Sequence, residues 1–199
     1  TTLALTVAKT GESIRREKKL PGAIITRVAK SHIRVGTFQY FASLGKYELL
    51  KDLSDYIINR HFPEIDGNKN KYFDLFKCVL RKQAKLVSKW MSIGFIHGVM
   101  NTDNCSIIGD TIDYGPCAFM DNYKKDTVFS SIDTFGRYSF KNQPIVCQWN
   151  LVQLANCLLP LFSNDKEKNI QMAQNAIDQF YQLYENFWFE ELNNKLGFR

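Results

Sequence analysis

The chain opens on an alternation of apolar with small or polar residues. Leu3, Leu5 and Val7 keep the period of a strand. The polar stretch TGESIRREKKLPG ends in Pro21-Gly22 and predicts a connection, with Arg15, Arg16, Lys18 and Lys19 as a solvated basic run. GAIITRVAK is β-branched and predicts a second strand carrying Arg27. SHIRVGTFQYF follows, with Arg34 just beyond that strand. The spacing then turns helical. Leu49, Leu50, Leu53 and Ile57 recur ahead of His61 and Pro63. A longer helix is predicted from about Asp74 to Ile93, with Leu75, Phe76, Val79, Leu80, Val87, Trp90 and Met91 on its apolar side and Gly94 as its stop. FIHGVMNTDNCSIIGDTIDYGP reads as a compact loop and hairpin. Two helical patterns close the chain, one through Trp149, Leu151, Leu154, Ala155, Leu158 and Leu159, the other through Ile170, Ala173, Ile177, Phe180, Tyr181, Tyr184 and Trp188.

Strands, then helices, then a loop hairpin, then helices suit an α+β domain better than alternating βαβ units. The 199 residues, 45% hydrophobic and 14% aromatic, are enough for a real core and exclude a disordered chain. No uninterrupted apolar run of about 18 residues is present, so no membrane span is expected. The opening TTLALT has no charged segment ahead of an apolar run, so no signal peptide is expected, and the missing initiator Met suggests a partial chain. Cys78, Cys105, Cys117, Cys147 and Cys157 form no C-x-x-C pair and read as buried thiols of a reducing compartment. The net charge of +6 implies affinity for anions. Nucleotide phosphates or an acidic protein satisfy it as well as nucleic acid, for which no motif is found.

The chemistry concentrates between His97 and Pro116. Kinase-like phosphotransferases place an H-[RG]-D-x-x-x-x-N loop after a long helix. A short hairpin then delivers a second Asp in a D-F-G-like turn. In HGVMNTDN, His97, Gly98 and Asn104 fall on the H, the G and the final N, and TIDYGP supplies Asp113, Tyr114 and Gly115. A side-chain amide and a carboxylate are hard oxygen donors of the kind Mg²⁺ takes together with phosphates. Gly115 is expected to allow the sharp turn, Tyr114 to pack as the aromatic of that turn, and His97 to brace the loop. The position of the usual catalytic Asp is Val99, which cannot accept a proton, while Asp103 stands directly before Asn104. An ordinary kinase loses its base here, and a different carboxylate is offered beside it.

HGVMNTDN and TIDYGP together resemble the SelO (YdiU) family of protein adenylyltransferases. PGAIITRVAKSHIRVGTFQYFA, INRHFPE, GRYSF-x-x-QP, WNL-x-x-LA and NNKLGF resemble it as well, over essentially the whole chain. The resemblance implies a protein-kinase-like fold: the end of the N-lobe strands and the nucleotide-binding arginines over residues 1–45, then a mainly helical catalytic C-lobe over 46–199. It implies transfer of AMP from ATP, bound flipped relative to kinases, to Ser, Thr or Tyr hydroxyls of proteins, with Mg²⁺ or Mn²⁺ and release of pyrophosphate. Asp103 corresponds to the proton acceptor, Asn104 and Asp113 to metal ligands, and Arg27, Arg34 and Asp113 to nucleotide-binding residues. ATP and hydroxyl-bearing proteins are the implied partners, without nucleic acid or membrane. The implied location is the cytoplasm in a bacterium or the mitochondrion in a eukaryote. No G-x-G pair is found, so the glycine-rich loop and strand lysine are expected upstream and the chain is expected to be an internal piece, inactive alone. A kinase-like phosphotransferase and an inactive pseudokinase scaffold are the alternatives.

Overall fold

The computed structural model describes residues 3–198; Thr1 and Thr2 of the opening TTLALT, and Arg199, lie outside the described residues. The chain divides into two compact units, residues 1–32 and 33–199.

The first unit is an antiparallel hairpin of β1 (Leu3–Arg15) and β2 (Lys19–Val28), in register from Leu3 opposite Val28 to Arg15 opposite Lys19. The polar stretch expected to be a connection is therefore mostly strand, and the reversal is confined to Arg16–Lys18. Both faces of the hairpin are largely exposed, so its outer half needs no apolar alternation and left no strand signal. Between Lys9 and Ser13, β1 advances four residues while β2 advances two, from Ala23 to Pro21. Gly11, at φ +79°, absorbs this irregularity in a conformation that side chains disfavour.

The second unit is helical. α1 (Val35–Ser43) starts immediately after Arg34, and α2 (Tyr47–His61) buries Leu50, Ser54, Ile57 and Ile58. Leu49, grouped with that face by spacing, is 37% exposed. α3 (Lys71–Ile93) has the strongest amphipathic stripe and ends at Gly94, whose φ of +70° is the left-handed stop expected of it. Asp55 of α2 takes Lys71 Nζ at 2.8 Å, Lys51 Nζ at 2.9 Å and the Tyr72 hydroxyl at 3.0 Å, fastening α2 to the first turn of α3.

After α3 come β3 (Phe95–Ile96), the functional loop, and β4 (Ala118–Phe119), which pairs with β3. The expected hairpin between Asn104 and Asp113 is thus replaced by pairing outside it: Phe95 with Phe119 and Ile96 with Ala118. α4 (Gln143–Phe162), α5 (Lys166–Asp178) and α6 (Phe180–Leu196) complete the unit. The last pattern, read as one helix, breaks at Gln179, whose N–H bonds the Ile177 carbonyl rather than one four residues back.

α3 packs most extensively on α6 and α4, and α4 also packs on α1 and α5. By length and hydropathy, Phe140–Phe162 alone among the described residues is long and apolar enough to cross a membrane, against the expectation that no such stretch exists. Its apolar residues are those of a central core helix: Val146, Leu151, Leu154 and Leu158 are buried among the neighbouring helices, together with the polar Gln143 and Asn150. Trp149, expected on the apolar side, is 43% exposed and carries the Arg137 guanidinium 4.8 Å over its ring.

Candidate active site

The loop from His97 to Asn104 is held at nearly every turn by neutral buried side chains. His97 is fully buried. Its N–H donates to Gln143 Oε1 at 3.0 Å, while Gln143 Nε2 donates to the Phe95 carbonyl at 2.9 Å. Imidazole Nε2 lies 2.7 Å from the Ile112 carbonyl, which can only accept. That partner assigns the Nε2–H tautomer and leaves Nδ1 to accept from the Val99 N–H at 3.4 Å. Burial pushes the imidazole below its ordinary range, against the Ile112 carbonyl and the Asp113 charge, which favour the protonated ring. His97 thus braces the loop as expected, and joins it to the irregular segment leading into Asp113.

Asn150 Nδ2 of α4 donates to the Met100 carbonyl at 3.0 Å, and Gln83 Nε2 of α3 donates to the Ser106 carbonyl. Trp90 Nε1 donates to Thr111 Oγ1 at 2.9 Å. Gly98, at φ +84°, lies against Pro116: a Cβ there would sit 3.0 Å from the proline ring and 3.0 Å from its carbonyl oxygen. The loop and the TIDYGP turn are therefore in direct contact.

The predicted residues fall into place on this frame. The loop ends in a 3₁₀ turn, Thr102–Asn104. Asn104 Nδ2 donates to the Val99 carbonyl at 2.9 Å, which leaves Oδ1 as the acceptor of that side chain. Asp103 is exposed and lies against the first turn of α1, with its carboxylate beside Gly36. Arg34 pairs across an antiparallel bridge with Ser106, flanked by Val35 N–H to Cys105 O at 2.9 Å and Ile107 N–H to Ile33 O at 3.2 Å. The backbone of Arg34 is capped by the Thr37 hydroxyl, which accepts its N–H at 3.2 Å. Its Nε is buried and has no hydrogen-bond partner. A buried, unpaired guanidinium donor is costly unless something supplies an acceptor.

Asp113 is exposed and adopts φ +59°; it is the one non-glycine residue with positive φ among those described. The turn therefore places its left-handed residue at the carboxylate itself rather than at Gly115, which closes the turn with its N–H on the Asp113 carbonyl at 2.9 Å. Aspartate tolerates this region better than most residues, and such strain concentrates where function requires it. Tyr114, expected to pack, is 40% exposed and is tethered by its hydroxyl to the Thr111 carbonyl at 3.1 Å.

Asp103, Asn104, Arg34 and Asp113 are thus borne on linked segments of one unit. Arg27 stands on β2 in the other unit, half-buried and opposite Ala4. Among the described residues no cluster of three or more His, Cys, Asp or Glu side chains forms a closed metal cage. One amide oxygen and one carboxylate fit a hard cation that takes its remaining ligands from phosphates and water. The braces Gln83, Gln143 and Asn150 were not singled out by spacing; Gln143 and Asn150 stand inside the GRYSF-x-x-QP and WNL words as residues of unassigned role.

A carboxylate beside an amide, a second carboxylate at positive φ and a buried guanidinium Nε without a partner are groups that could serve a phosphate ligand. Residues 1–199 match the family described as "Protein adenylyltransferase SelO", and the chain belongs to that family. It is 57% identical over 197 residues to proteins named "Protein nucleotidyltransferase YdiU" from Bacillus cereus (strain G9842) and Bacillus thuringiensis subsp. konkukian (strain 97-27). It is 56% identical to that of Bacillus mycoides (strain KBAB4). Each alignment covers 99% of this chain and 40% of the relative, so the chain spans well under half the length of these relatives.

Proposed function

We propose that these residues form the metal-and-nucleotide part of a kinase-like active site that transfers AMP from ATP to Ser, Thr or Tyr hydroxyls of proteins. The observation that carries this reading is the buried, unpaired Arg34 Nε, bridged to the segment that directly follows Asp103 and Asn104. An anionic ligand gives that donor its acceptor, and a guanidinium binds phosphate oxygens through a planar fork.

In the proposed reaction Asp103 accepts the proton of the acceptor hydroxyl. The hydroxyl oxygen forms a bond to the α-phosphorus, the bond from that phosphorus to the bridging oxygen breaks, and pyrophosphate leaves. Arg27 and Arg34 stabilise the charge gathering on the leaving group. Asn104 Oδ1 and the Asp113 carboxylate would hold Mg²⁺ or Mn²⁺, which when bound supplies charge neutralisation to the triphosphate. Val99 at the usual base position argues against an ordinary kinase, and the intact Asp103, Asn104 and Asp113 argue against an inactive scaffold. The reading carries the partners with it: ATP and hydroxyl-bearing proteins, with neither nucleic acid nor membrane required. Resemblance to bacterial relatives favours a cytoplasmic setting.

The test is incubation of the intact protein with α-labelled and, separately, γ-labelled ATP in the presence of Mg²⁺ or Mn²⁺. Label from the α position should enter protein. Transfer from the γ position alone would establish a phosphotransferase instead.

A further inference from the structure

We propose that Gly36 is a positioning residue for Asp103, reserving the space its carboxylate occupies; this rests on the assignment of Asp103 as proton acceptor. Gly36 is the second residue of α1, a site where glycine lowers helix stability relative to alanine. Its backbone does not explain it, because Gly36 is absent from the glycines with positive φ. Its surroundings do. A Cβ at this position would lie 2.1 Å from Asp103 Oδ1, 3.0 Å from its Cγ and 3.4 Å from its Cα, the three nearest atoms all belonging to Asp103. The carboxylate occupies the volume in which any other residue places its β-carbon.

The two backbones cannot separate to make room. Val35, next to Gly36, donates its N–H to Cys105 O at 2.9 Å, and Arg34 bridges Ser106. Asp103 lies two residues before Cys105, inside the 3₁₀ turn closed by Asn104 N–H on Asn101 O at 3.0 Å. What can move is the carboxylate, which is exposed and can rotate into solvent. A side chain at position 36 therefore displaces the proton acceptor while leaving the fold in place. Gly98 and Gly109 differ: both have positive φ and lie against backbone atoms, so substitution there strains the chain itself.

The experiment compares wild type, Gly36→Ala, Asp103→Ala and the double variant in the intact protein. It uses α-labelled ATP with Mg²⁺ and reads label in the protein itself and in added casein. Misplacing a catalytic group by about 1 Å costs roughly 100-fold. Gly36→Ala should lower kcat by about that factor, leave the KM for ATP within about twofold of wild type, and melt no lower than wild type because alanine favours helix. The double variant should be no slower than Asp103→Ala alone, since Gly36 acts only through that carboxylate. Should Gly36→Ala melt lower, removing Asp103 should restore the melt. Wild-type kcat in Gly36→Ala, a raised KM for ATP as its sole effect, or multiplying effects in the double variant would each overturn the proposal. Wild-type activity in Asp103→Ala would overturn it too, by removing the proton-acceptor assignment; loss in Asp103→Ala with none in Gly36→Ala would sink the positioning role alone.

Discussion

Replacing Gln143 by Met tests whether the loop owes its geometry to α4. The two side chains are close in volume, so packing is kept while the amide's hydrogen bonds with the His97 N–H, the Phe95 carbonyl and the Met91 sulfur are lost. Gln143 is fully buried, and its removal leaves the His97 N–H and the Phe95 carbonyl without their partner. Each buried group left unsatisfied costs about 1–3 kcal/mol, and relaxation around a methionine recovers part of it, so a local loss of about 2–3 kcal/mol is expected. With every 1.4 kcal/mol worth a factor of ten, amide hydrogen exchange over residues 95–104 should accelerate roughly 30- to 150-fold. Peptide-resolved exchange measured by mass spectrometry on the intact protein reads this directly, alongside AMP transfer, which should fall with it. Gln143→Glu keeps an acceptor for His97 and should lie between the two. Unchanged exchange over 95–104 together with wild-type transfer in Gln143→Met would show that the loop holds its shape without α4.

Asp113→Ala should abolish metal-dependent transfer, and Asn104→Ala should lower turnover and raise the metal concentration needed; activity of Asp113→Ala within a few fold of wild type would remove the metal assignment. Arg27→Ala and Arg34→Ala should each cut kcat/KM for ATP roughly 10- to 150-fold, the equivalent of one charge-assisted phosphate contact of about 1.5–3 kcal/mol, with circular dichroism unchanged; wild-type kinetics in both would make them surface charges. Asp55→Asn should lower stability at pH 7 by about 1 kcal/mol or less, as befits a partly exposed network. Burial acts to raise the Asp55 carboxyl, but Lys71, Lys51 and Tyr72 outweigh it and hold it below its ordinary 3.8. Its contribution is thus present above that value and lost as pH falls through the lower folded value, so denaturation midpoints of variant and wild type should converge in acid and differ at neutral pH.

The helices were legible because burial on one side writes a 3.6-residue period. α3 is the clearest case, down to Gly94 at its end. The outer half of the β1–β2 hairpin was not, because a strand exposed on both faces carries no alternation. The start of α1 directly after Arg34 was hidden by β-branched Ile33 and Val35, which belong to the bridge with Cys105–Ile107. The break at Gln179 has neither Gly nor Pro to announce it. In the site, the order of His97, Asp103, Asn104 and Asp113 could be read as a motif. Gly36 and the polar braces could not, since a glutamine or asparagine on a buried helix face looks in sequence like a solvated position.

The groups that hold the loop are amides, an indole and a neutral imidazole, whereas the groups assigned to the reaction, Asn104 apart, are ions. Neutral hydrogen bonds in a dry interior respond little to dissolved salt, while contacts between exposed charges are screened within about 10 Å at 0.1 M ionic strength. The fold thereby separates the groups that set the geometry from those proposed to engage the nucleotide. On the proposed function, a salt titration would accordingly register in the KM for ATP, leaving the exchange rates of residues 95–104 flat, so one cheap variable can tell damage to the scaffold from weakened capture of the triphosphate.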